Sequence, residues 1–222
     1  MHHVIPAIIP ESADHLEDVL IDVEPFTREV QIDIVDGDFV PFLSWPYVGA
    51  GSIQLLSRYT DAFSIEVDLM IAAPETVLSR YANAGVSSMV VHLESTRRLE
   101  AIFEHRDAHA YALGLSINND TELSLLMQSV ERADYVQLMG IAQIGSQGQP
   151  FDERVLKRIH TLRAAFPDLQ ISIDGSVNAD TIPLLREAGA NRFVSGSAIL
   201  KAKNPRTAFR SLERLATARV SI

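Results

Sequence analysis

Two aspartates each close an apolar stretch of this chain. Asp33 lies in Gln31-Ile32-Asp33-Ile34-Val35-Asp36-Gly37, and Asp174 in Ile171-Ser172-Ile173-Asp174-Gly175-Ser176. A carboxylate set among β-branched residues is costly to bury unless it has a partner or a task. Two of them, on segments far apart in sequence, predict one shared site. Carboxylates facing a small molecule from opposite sides suit the inversion of a carbon next to a carbonyl. One of them, ionised, removes a proton; the other, protonated, returns one to the opposite face. Burial and neighbouring negative charge can hold two carboxyls in those different states. The enediolate between the steps needs a cation, or donors aimed at its oxygen.

Side chains alternate along a strand, and that parity enlarges the set. Gln31, Asp33 and Val35 share one face of their segment. Glu66, Asp68 and Met70 share a face of the next, and Gln170, Ser172 and Asp174 do so near the end of the chain. Taken singly, each of these aspartates reads equally well as a helix cap or a strand-end group. Three of the same parity, near the C-terminal ends of their strands, read better as the rim of a barrel, where active sites of that fold are built. His92 also ends a strand with inward parity, either as a hydrogen-bonded core histidine or as a group behind Asp68. Three glycine turns complete the constellation: Gly145-Ser146-Gln147-Gly148, Gly175-Ser176 and Ser195-Gly196-Ser197. Glycine lets backbone N–H groups approach an anion closely. Loops after the last two strands of a barrel form its recurrent phosphate site.

The elements that must position these residues alternate in period. Short apolar runs predict strands at 4–9, 29–35, 63–70, 88–92, 110–116, 135–139, 170–174 and 192–194, separated by stretches of helical period. Helices are expected to open at Ser12, as N-cap, at Pro74, near 120–123, near 151–154, and at Asp180 or Thr181. Gly85 and Gly189 read as left-handed helix ends feeding the next strand. The tail from 205 to 222 reads as a last helix, and Trp45, Tyr47 and Tyr59 as core or subunit packing. Eight such units predict a single (β/α)8 barrel. A doubly wound open sheet is the runner-up, disfavoured because no G-x-G-x-x-G follows the first strand.

Composition bounds the rest. The chain has 222 residues, 47% of them hydrophobic, enough for one such core. Its 29 acids and 19 bases give a net charge of −10, which argues against a nucleic-acid or acidic-membrane partner. It has no cysteine, so thiol chemistry and thiolate metal sites are excluded. No signal peptide is visible at its start, and no run approaches the ~18 apolar residues of a membrane span. The expectation is a cytoplasmic protein, with a homo-oligomer allowed.

In these motifs the chain resembles the ribulose-phosphate 3-epimerase family. Gln31 to Pro41 is similar, in register, to the family's His-Leu-Asp-Val-Met-Asp-Gly-His-Phe-Val-Pro. Val67-Asp68-Leu69-Met70 is similar to Val-His-Leu-Met, and His92-Leu93-Glu94 to His-Val-Glu. Met139 and the 145–151 loop resemble Met…Pro-Gly-Phe-Gly-Gly-Gln-x-Phe. Asp174-Gly175-Ser176 resembles Asp-Gly-Gly, and Ser195 to Ile199 the family's phosphate turn. The resemblance covers nearly the whole chain and implies one ribulose-phosphate-binding barrel over 1–222. It further implies a ketopentose 5-phosphate substrate, a divalent metal, and catalytic aspartates matching Asp33 and Asp174. Met70, Met139, Gly145, Gly148, Gly175, Ser176, Gly196 and Ser197 would line the sugar phosphate.

The departures fall on the site. The family's metal is held by His, Asp, His and Asp, and here Gln31 and Asp68 stand in both histidine positions. The first-strand Ser is Ala7, the strand-two Met is Val35, and the Gly-rich loop is one residue longer. Three readings stay open. An epimerase or isomerase could hold Mg²⁺ or Mn²⁺, in preference to Zn²⁺, on the oxygens of Gln31, Asp33, Asp68 and Asp174. A metal-free relative could act on another sugar phosphate. A phosphosugar-binding or regulatory barrel could have lost turnover.

Overall fold

The computed structural model describes residues 3–49, 51–146 and 148–218. Eight parallel strands close into a barrel in sequence order. They are β1 (His3–Ile8), β2 (Glu29–Val35), β3 (Ser64–Met70), β4 (Ser88–His92), β5 (Ala112–Ile117), β6 (Tyr135–Met139), β7 (Ile171–Asp174) and β8 (Arg192–Ser195). The circle closes where β1 pairs with β8, Ile5 opposite Val194. Every expected strand is present, within two residues at each end. The β-branched and leucine side chains of their outer faces, such as Ile32, Ile34, Val67, Leu69, Ile171 and Ile173, are buried in one core beneath the helices.

The helices are α1 (Ala13–Val23), α2 (Leu78–Asn83), α3 (Leu99–Asp107), α4 (Leu123–Met127), α5 (Arg154–Ala165), α6 (Thr181–Ala188), α7 (Ser197–Leu200) and α8 (Pro205–Thr217). Ser12 caps α1 by accepting a bond from the His15 N–H at 3.0 Å. Gly85 and Gly189 have φ of +82° and +113° and turn the chain back to β4 and β8. Of the two residues expected to cap α6, Asp180 holds the N-cap position and Thr181 is the first helical residue, but the Asp180 side chain makes no cap bond. Asn178 Oδ1 accepts from both of their N–H groups, at 2.9 and 3.2 Å, in an Asx turn. No helix start was expected in the connection from β2 to β3. It carries no α-helix among its described residues, only a 3₁₀ segment, Ile53–Arg58. Pro41, Pro46, Gly49 and Gly51 fall in that stretch and break the helical ladder. The last helix ends at Thr217, and the expected continuation through 219–222 lies outside the described residues. Trp45 is fully buried, whereas Tyr47 is exposed and Tyr59 donates its hydroxyl to Glu17 at 2.7 Å. Among the described residues no helix is long and apolar enough to cross a membrane.

Much of the inside of the barrel is polar, beside a small apolar cluster of Ile5, Ala7 and Val194. Near its N-terminal end Arg192 from β8 donates to both oxygens of Glu66 from β3, at 3.0 and 2.8 Å, and to Ser172 Oγ at 3.1 Å. Tyr135 donates its hydroxyl to the same carboxylate, and the guanidinium lies 4.9 Å from the centre of its ring. Gly114 makes room for this ring: a Cβ there would lie 2.5 Å from it. Toward the C-terminal end the interior polar residues are Gln31, Asp33, Asp68, His92, Gln137 and Asp174, all buried.

Candidate active site

Asp33, Asp68 and Asp174 meet. Each offers a carboxylate oxygen within 4.8 Å of the others, which satisfies the condition set by parity alone. Strand register accounts for it: Asp33 pairs with Asp68 across β2–β3, and Asp174 ends β7, opposite Met139. Gln31 lies beneath and donates its amide to Asp33 at 2.9 Å and to Asp174 at 3.2 Å. Asp68 is held on both oxygens, with His92 Nε2 at 3.1 Å from Oδ1 and the Gln137 amide donating to Oδ2 at 2.9 Å.

These surroundings set the protonation states. Burial, then the Asp174 and Asp68 charges, push Asp33 well above the ordinary carboxylate range. Burial and Asp68 push Asp174 up to about 7. Burial alone would lower His92, but the Asp68 carboxylate outweighs it and holds the imidazole above its usual value. Near neutral pH the cluster therefore keeps at least one proton among carboxyls that would all be ionised in water.

Above Asp33 and Asp174 opens a cavity of about 320 Å³. Met70, Met139, Ile141 and Val194 give it apolar walls, and Ala7 lines it as well. Its far corner is built from Gly175, Ser176, Gly196 and Ser197, with Gly145 and Gly148 reaching over from the loop after β6. The chain at Gly175 and Ser176 is left-handed, φ +94° and +53°. Such a conformation is rare for serine, and the surrounding bonds enforce it: the Ser176 carbonyl accepts from Thr181 Oγ1 at 2.7 Å and from Asn178 Nδ2 at 3.1 Å. Successive backbone N–H groups in a turn of this kind form a concavity that suits an anion. No Lys, Arg or His is among the described residues that line the cavity. Gly145, φ +90°, brings its loop against the loop after β2, and a Cβ there would lie 2.7 Å from Val40 Cγ2.

All the expected site residues except Gln31, Asp68 and His92 line this cavity; those three lie in the layer below. Sequence reasoning missed Gln137. Its parity, inward like that of Tyr135 and Met139, was the available signal. It also missed Asn178 and Ile141, whose places depend on loop conformation.

The donor set fits a divalent cation of the hard, oxygen-preferring kind. Three carboxylate oxygens converge, and Gln31 Oε1 is buried without a hydrogen-bond partner among the described residues, free to turn toward an ion.

The family model described as "Ribulose-phosphate 3 epimerase family" matches residues 3–200. The chain belongs to the ribulose-phosphate 3-epimerase family. Among curated members, the ribulose-phosphate 3-epimerase of Bacillus subtilis (strain 168) is 31% identical over 205 residues, covering 90% of this chain and 92% of that one. The cytoplasmic isoform from Oryza sativa subsp. japonica is 31% identical over 179 residues, covering 79% and 77%. Among solved structures, a 3-hexulose-6-phosphate synthase superposes with a TM-score of 0.73 at 20% identity, covering 97% of this chain and 99% of that one, a likeness of fold.

Proposed function

We propose that this barrel is a phosphosugar epimerase in which Asp33 and Asp174 are the acid–base pair. The observation that carries the reading is that both carboxyls floor one cavity, both are raised by burial and mutual charge, and an anion-binding corner lies beside them. A ketose phosphate seated by Gly175, Ser176, Gly196 and Ser197 would place the carbon next to its ketone between the two groups. The ionised carboxylate takes that carbon's proton, and the electron pair moves into an enediolate. The other carboxyl, still protonated, delivers its proton to the opposite face. The carbon is inverted, and the two aspartates have exchanged protonation states, so one pair serves both directions. Met70, Met139 and Ile141 would exclude water from the reacting face. The names of the family's members support a ribulose phosphate as substrate, and the rice relative's name supports the cytoplasm as the compartment.

Asp33, Asp68, Asp174 and the Gln31 carbonyl are the groups that would hold a divalent ion, with Mg²⁺ or Mn²⁺ favoured over Zn²⁺ because every donor is oxygen. Such an ion would supply a Lewis acid for the substrate's oxygens. One observation favours a metal-independent variant: Gln31 turns its NH₂, not its oxygen, toward Asp33 and Asp174. There, amide N–H groups and the proton shared by the carboxyls offset the negative charge.

Turnover of D-ribulose 5-phosphate in D₂O, before and after chelation, tests these readings. Deuterium entering C3 with epimerisation is the expected result, lost in both Asp33→Asn and Asp174→Asn. Activity that survives chelation selects the metal-independent form. Saturable phosphosugar binding without exchange would replace the enzyme with a binding protein.

A further inference from the structure

We propose that Gln137 is a positioning residue of this site, a strut from β6 that fixes the Asp68 carboxylate so that it converges with Asp33 and Asp174; the inference rests on the reading of these carboxylates as the reactive centre. Gln137 is fully buried on β6, three strands around the barrel from Asp68 on β3. It reaches across the interior and donates its amide to Asp68 Oδ2 at 2.9 Å. His92, from the adjoining β4, holds Oδ1 at 3.1 Å. A carboxylate gripped on each oxygen from two directions cannot rotate about its last bond. Gripped on one oxygen only, it would be free to swing away from the two neighbouring carboxyls.

The other end of the side chain shows which contact the position serves. Gln137 Oε1 is buried and has no hydrogen-bond partner among the described residues. Turning the amide over would leave the N–H groups where the carbonyl is now and would set that oxygen against Asp68, lone pair to lone pair. The observed orientation accepts an unsatisfied carbonyl in the barrel core, which is unfavourable, and keeps the donor on the carboxylate. An apolar side chain of similar volume would pack in this interior with no such penalty. Gln137 does not line the cavity, so it acts through Asp68 and not on the substrate.

Three readouts on Gln137→Leu test the strut. Mn²⁺ titration by calorimetry is expected to show ten- to hundred-fold weaker binding, the usual effect of removing a group that orients a ligand. Steady-state assays are expected to show kcat reduced by a similar factor with KM little changed, because the anion corner is untouched. The crystal structure of the variant is expected to show the Asp68 carboxylate rotated from its place beside Asp174. Gln137→Glu, the same shape with the donor replaced by an acceptor, should move all three readouts further. Gln137→Met serves in place of Gln137→Leu if that variant does not fold. Unchanged Mn²⁺ affinity and kcat, or Asp68 unmoved in the crystal, would overturn the proposal. A wild-type protein that neither takes up Mn²⁺ nor turns over a ketose phosphate would refute the epimerase reading, and the crystal structure alone would then decide the strut.

Discussion

The barrel buries charge in two places, built on opposite terms. Near the N-terminal end, Glu66 and Arg192 cancel each other, and Tyr135 and Ser172 take up further hydrogen-bonding capacity of the pair. The plug is neutral and buried. Near the C-terminal end three carboxyls meet with no Arg or Lys side chain bonded to them among the described residues; two side-chain amides, one imidazole and the Gly175 backbone N–H hold them. A cluster assembled for stability would not gather like charges. The open cluster is also the one beneath a cavity, with the raised carboxyls at its floor. Buried charge by itself therefore says little about function; excess charge with access to a ligand says much more.

The contrast can be broken most directly at the open cluster. Asp33→Asn and Asp174→Asn are each expected to lower epimerase kcat by about 10²- to 10⁴-fold, the span of acid–base groups, while thermal melting shows stability equal to or above wild type. A marked loss of stability in either would make that aspartate structural. The plug should behave in the opposite way. Arg192→Met strands Glu66 and should cost about 3–5 kcal/mol in urea unfolding, with kcat of the folded protein unchanged. The double variant Glu66→Leu/Arg192→Met should recover most of that loss.

Acidity sharpens the same comparison. Asp174 is raised to about 7 when folded, against ~3.9 for an unfolded aspartate. Between those values the folded chain binds more protons than the unfolded one, so this group's contribution to stability falls as pH rises. The slope approaches ~1.4 kcal/mol per pH unit for a full proton. Urea unfolding at pH 5 and pH 7.5, without added divalent ion, should show that decline, and Asp174→Asn should flatten it. The smallest effect is expected at Ser172→Ala, which removes one acceptor from Arg192. A loss of about 1 kcal/mol or less, with no change in kcat, would mark the plug as redundantly bonded.

What could be read in the sequence was what depends on local order. Strand positions followed from short apolar runs, and the meeting of Asp33, Asp68 and Asp174 followed from alternation along strands that end at one rim. The pairing of Glu66 with Arg192 was out of reach, since 126 positions separate them and closure of the barrel alone brings them together. Gln137 had the right parity but does not titrate, so a search for charged groups passed over it. No helix start was named in the β2–β3 connection, and Pro41, Pro46, Gly49 and Gly51 account for the absence of an α-helix among its described residues. The part of Asn178 at this helix start was overlooked because its Asx turn begins three residues ahead of the first helical N–H it satisfies.

The contact between Gly145 and Val40 has a consequence for how this protein can change. Residue 145 owns no side chain, so two neighbouring loops meet there backbone to methyl with no slack. A single added carbon would act as a wedge, and the seam over the reacting floor would admit bulk water. This one point of the loop therefore tolerates almost no growth.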